Sequence, residues 1–130
     1  MITTSILLSV AMLLAQTPSQ RVTVRPDKPI NCEDFQAHLD HAIIDWLNVK
    51  ETYMIVITRL GTGERGRKLN RARQAYIQDY LTRKNVQYVF AEGDRVEGLG
   101  RLEVYVGGRL TMSIPTKRGA TRLCWGGTGD

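Results

Sequence analysis

The run Tyr53 to Leu81, YMIVITRLGTGERGRKLNRARQAYIQDYL, decides the fold. Tyr53 to Ile57 is a continuous apolar run between Thr52 and Thr58, the pattern of a buried central strand. Leu69, Ala72, Tyr76, Ile77, Tyr80 and Leu81 then recur at helical spacing, which predicts an amphipathic helix to about Lys84. Val86 to Ala91, VQYVFA, is a strand pattern again. Strand, helix, strand in that order predicts a right-handed parallel crossover.

Between strand and helix lies a basic junction, Thr58 to Arg73. It carries six cations (Arg59, Arg65, Arg67, Lys68, Arg71, Arg73) and one anion, Glu64. That excess equals the formal net charge of the whole chain, +5. All the unbalanced charge therefore sits at one strand-to-helix connection, and such a segment favours an anionic partner.

On the N-terminal side, Asn31 suits a helix N-cap, with Asp34 three residues on as a carboxylate variant of the capping box. Phe35, Leu39, Ala42, Ile43, Trp46 and Leu47 mark the buried face of a helix to about Asn48. Before it, Arg21 to Arg25, RVTVR, alternates as a short first strand does, and Gln16 to Gln20 is a polar spacer. His38 and His41 lie off the apolar stripe, so a solvated face explains them better than a metal does. On the C-terminal side, Leu102, Val104 and Val106 alternate, as do Leu110, Met112 and Ile114. Gly107-Gly108 between them predicts a hairpin, which Pro115 ends. The expected architecture is α+β, one mixed sheet with two helices on one face and a C-terminal hairpin strand. Residues 125–130 are expected to form a flexible tail.

The first fifteen residues, MITTSILLSVAMLLA, carry no charge and are mostly apolar. A bilayer span needs about 20 residues, so this run reads as a secretory signal ending at Ala15 rather than a transmembrane helix. Export to a periplasmic or secreted location makes Cys32 and Cys124 a natural disulfide pair.

Gly61, Gly63 and Gly66 form a G-x-G-x-x-G string before a helix, the position of a dinucleotide-binding loop, with Glu92 as a candidate ribose acid. The order of elements opposes it, because a helix precedes the strand and the strands of a doubly wound sheet are missing. No cofactor is therefore expected. Nor does any nucleophile–base constellation appear, so the chain does not read as an enzyme.

From about Val22 to Val106 the chain resembles the OmpA-like domain family of peptidoglycan-binding periplasmic modules. Ile57-Thr58-Arg59-Leu60-Gly61 is similar to that family's T-D-x-x-G element, and Leu69-Asn70-Arg71-Ala72-Arg73-Gln74 to its L-S-x-x-R-A element. Asp79-Tyr80-Leu81 looks like its helix end, and Arg101-Leu102-Glu103-Val104 like its R-V-E-I strand. The resemblance implies a β-α-β-α-β-β domain over residues 21–124. It also implies a ligand site at Thr58, Arg59, Gly61, Asn70 and Arg73, where Arg73 would hold a carboxylate of the wall peptide in a bidentate grip. Thr58 stands where the family carries Asp, and Gly66 where Asn is usual, so the ammonium end of diaminopimelate would lack its partner. The ligand implied is peptidoglycan or a more purely anionic envelope polymer. A structural or protein-interaction domain that kept the fold and lost the ligand is the other reading, while nucleic acid is disfavoured.

Arg73 also has a bottom-up case. It lies on the edge of the helix's apolar stripe, where a bare guanidinium needs an anion. The alternatives are an external ligand, an internal carboxylate such as Glu92 or Glu103, or a side chain that snorkels to water.

Overall fold

In the computed structural model, which describes residues 23–49 and 52–126, the first helix starts where its cap requires. Asn31 Oδ1 accepts the backbone N–H of Asp34 at 2.7 Å. Asp34 Oδ2 in turn accepts the Asn31 side-chain amide N–H at 3.2 Å, so the box closes side chain to side chain. Helix α1 spans Cys32–Asn48 and buries Phe35, Leu39, Ala42 and Ile43. Leu47, expected on the stripe, is 65% exposed, because the covered face has turned away by the last turn.

Strand β1, Met54–Arg59, follows. Helix α2, Arg67–Arg83, comes next and ends in a Schellman motif. There the Val86 N–H reaches the Leu81 carbonyl and the Asn85 N–H that of Thr82, with Asn85 itself at φ 56°. Strand β2, Tyr88–Glu92, pairs parallel to β1, as the strand–helix–strand order predicts. Strands β3, Arg101–Val106, and β4, Arg109–Pro115, form the expected hairpin. Gly107 and Gly108 turn it at φ 58° and 76°, the double positive φ that twisted two-residue hairpins need. The four strands form one sheet in the order β2-β1-β3-β4.

This is the expected α+β architecture, with one mixed sheet under two helices. One expectation needs correcting. β1 is central, but among the described residues only one of its faces is covered: Met54 and Val56 are fully buried while Ile55 is 39% exposed. Both helices lie on the same side, so Ile55, with Val89 and Tyr105 beside it in register, faces away from the core. The first strand is also reduced. Among the described residues it is a single parallel bridge from Val24 to Met112 on β4. Arg21 and Val22, the signal-like segment 1–15, the spacer 16–20 and residues 127–130 lie outside the described residues.

Two ties fix the helices. Tyr80 on α2 donates its hydroxyl to Asp40 on α1; burial first, then this bond, raises the Tyr80 pKa to about 12. The expected disulfide, Cys32–Cys124, joins the start of α1 to the chain's C-terminal stretch across 92 residues. Trp125, the first residue of the expected tail, is bridged to Asn31 instead. No described helix is long and apolar enough to cross a membrane.

Candidate anion-binding site

The junction is shaped by backbone contact before any charge is considered. A Cβ on Gly61 would lie 2.3 Å from the Gly98 carbonyl oxygen and 2.4 Å from the Gly100 nitrogen, so only glycine fits. Thr62 N–H bonds to the Gly98 carbonyl at 2.8 Å, and Val96 N–H to that of Leu60 at 2.9 Å. Arg95 clasps the turn by donating to the carbonyls of Gly61 and Glu64. Gly63 and Gly66 take φ 81° and 84°. Each glycine of the G-x-G-x-x-G string thus has a steric task within the turn, and the sheet beside it is mixed rather than doubly wound.

This turn places Glu64 beneath α2, against Arg73. The Arg73 side chain has no exposure and that of Glu64 only 2%. Arg73 Nη1 donates to Glu64 Oε1 at 3.1 Å and Nη2 to Oε2, a bidentate pair. Backbone groups supply further bonds. Glu64 Oε1 accepts the Gly61 N–H and Oε2 the Gly119 N–H, both at 2.8 Å. Arg73 Nε donates to the Ala120 carbonyl at 2.9 Å and Nη2 to that of Lys117 at 3.2 Å. Burial pushes the Glu64 carboxyl up, but the bonds from Arg73, Gly61 and Gly119 outweigh it and hold the pKa at about 2.

Residues 117–123 therefore form a strap over the pair. It is anchored at one end where the Thr116 N–H bonds to the Gly100 carbonyl, and at the other by Cys124.

The five residues that the sequence groups as a site do not converge on one open surface. Thr58, Asn70 and Arg73 are buried, and Arg59 points to the open face of the sheet. Thr58 Oγ1 accepts from Gln74 Nε2 at 3.0 Å. Arg59 pairs with Glu103, whose hydrogen bond raises the guanidinium pKa, and also donates to the Asp94 carbonyl at 3.3 Å. Asn70 Oδ1 is buried with no hydrogen-bond partner among the described residues, as is Thr116 Oγ1. Gly61 and Arg73 do meet, through the Glu64 carboxylate that both bind.

Pairing redistributes the charge of the junction. Arg59 and Arg73 are each matched by a carboxylate. Arg65, Arg67, Lys68 and Arg71 are exposed and make no ion pair among the described residues. They gather at the start of α2, where the N-cap is Gly66 with no side-chain cap bond and the first turn holds no acid. The positive end of the helix dipole and these cations reinforce each other. Beside them a groove of about 510 Å³ is lined by Gly63, Glu64, Arg65, Lys68, Arg118 and Gly119, among others. Its floor is the roof of the buried pair, since Glu64 and Gly119 belong to both. Arg118 gave no sequence signal, because it comes from the strap.

A second cavity of about 550 Å³ brings His38, His41 and Asp45 near Arg109. Among the described residues no group of three or more His, Cys, Asp or Glu side chains is placed to hold a metal. Comparison of the chain with protein-family models, with curated proteins and with solved structures finds no match.

Proposed function

We propose that this chain is an exported, non-catalytic module that attaches to the cell envelope by holding an anionic polymer, peptidoglycan or another acidic component, on its basic junction. The observation that carries this reading is the groove at the uncapped start of α2. Its cations have no acidic partner among the described residues, whereas Arg59 and Arg73 are each paired internally. Like charges clustered at the positive end of a helix dipole destabilise one another unless an anion arrives. The disulfide supports export, because such bonds persist in oxidising compartments.

The anion is held by Arg65, Lys68 and Arg118 in this reading, not by Arg73. Glu64 takes, from within the chain, the place that a ligand carboxylate would occupy on Arg73. The test is retention of the full chain on purified peptidoglycan and on an immobilised anionic polymer over a salt series. Retention that falls steeply with salt, and is lost in Arg65→Ala/Lys68→Ala/Arg118→Ala, is expected.

The second reading, a structural or protein-interaction domain without a polymer ligand, is favoured by the internal pairing of Arg73 and by the exposure of Ile55 and Val89 on the outer sheet face. Absence of retention on every anionic support at low salt would select it.

A further inference from the structure

Trp125 is 59% exposed, yet its backbone and its ring nitrogen are all hydrogen-bonded. Its N–H donates to the Ile30 carbonyl at 3.2 Å, and its own carbonyl accepts the Cys32 N–H at 3.0 Å. The indole Nε1–H donates to the Pro29 carbonyl at 3.2 Å, and the neighbouring Cys124 is locked to Cys32. An indole fixed at its polar edge and along its backbone presents an ordered apolar ring to water. A ligand that stacks on it pays little ordering entropy.

The ring borders a cavity of about 420 Å³ that also takes in Pro29 and Lys117. This cavity and the basic groove share Gly119 and Thr121 as walls. The strap over Arg73 thus has Arg65, Lys68 and Arg118 along one side and Lys117 with Trp125 along the other.

We propose that the two cavities form one elongated site for an acidic polysaccharide, in which the cations take its anionic groups and Trp125 stacks against the apolar C–H face of a sugar ring. This rests on the reading of the basic groove as an anion site and names the class of polymer. Charge alone would serve any polyanion; a rigid aromatic platform beside the charge selects a chain built of rings. Nucleic acid also offers rings to stack. The disulfide adjoining Trp125 is the kind of bond that persists in oxidising compartments, and the proposed envelope location favours a glycan over nucleic acid.

The experiment is titration of the full chain, by calorimetry and tryptophan fluorescence, with oligogalacturonate, with polyphosphate, which has the charge without rings, and with an oligothymidylate. Trp125→Ala is expected to weaken oligogalacturonate binding about tenfold and to leave polyphosphate binding unchanged, while Trp125→Phe restores most of the loss. Arg65→Ala/Lys68→Ala/Arg118→Ala is expected to weaken both. Equal oligogalacturonate affinity in Trp125→Ala and the native chain, with the charge variant defective, would overturn the aromatic subsite and leave the groove standing. No binding of any of the three probes would overturn the groove as well. Tighter, Trp125-dependent binding of the oligothymidylate would overturn the choice of polysaccharide.

Discussion

Arg73 and Glu64 form a bidentate ion pair with essentially no contact with water, and two separate chain segments, the turn at Gly61 and the strap at Lys117, Gly119 and Ala120, supply further hydrogen bonds. Such a pair is dangerous to halve. Arg73→Ala leaves the Glu64 carboxylate buried and short of two donors, so a loss of about 3–5 kcal/mol in urea unfolding is expected. The double variant Arg73→Leu/Glu64→Leu should recover part of that loss. Full recovery is not expected, because the N–H groups of Gly61 and Gly119 would stay unpaired.

Acid should weaken the fold through the same carboxyl. The Glu64 pKa is about 2 in the folded chain, against an ordinary 4.5. A lowered folded-state value means that the stabilisation is complete above the unfolded pKa and is lost as pH falls from about 5 toward 2. The difference corresponds to roughly 3 kcal/mol. Unfolding free energies measured across that range should fall steeply in the native chain, whereas Glu64→Gln, destabilised already at neutral pH, should show a shallower slope.

The glycines should separate by mechanism. Gly100→Ala places a Cβ 2.7 Å from both the Arg59 carbonyl and Glu64 Oε1, and 2.6 Å from Thr116 Oγ1. Backbone cannot yield cheaply there, so a loss on the order of 2–3 kcal/mol is expected. Gly63→Ala meets open space but is held at φ 81°, and its loss should stay near 1 kcal/mol. Thermal melts of the two variants side by side give the ordering.

Removing the disulfide by Cys32→Ala/Cys124→Ala opens a loop of 92 residues. The chain-entropy account puts the loss at about 4–5 kcal/mol. A local effect should accompany the global one. The strap loses one of its two anchors, so the Gly119 amide, which donates to Glu64, should exchange its hydrogen faster than amides in the β3–β4 hairpin.

The elements themselves were legible in the sequence because their signals are local. Helical spacing from Phe35 to Ile43, the Asn31 cap, the Gly107-Gly108 turn and the alternation on either side of it each depend on a few neighbouring residues. The α+β class followed from them, and the expectation of a Cys32–Cys124 pair from the apolar N-terminal run of the sequence. What only the tertiary structure decided is the use of the basic junction. Arg73 needed an anion by its place on the helix, but the internal candidates named from sequence, Glu92 and Glu103, are not its partner: the fold supplies Glu64 and gives Glu103 to Arg59. The choice depends on Gly61 packing against Gly98 and Gly100, and on a strap 47 residues from Arg73 along the chain delivering the Ala120 carbonyl. Close approach of distant backbones leaves no periodicity to read. For that reason the sequence could concentrate the charge at one junction, and only the fold could divide it into a sealed pair beneath and an open groove above.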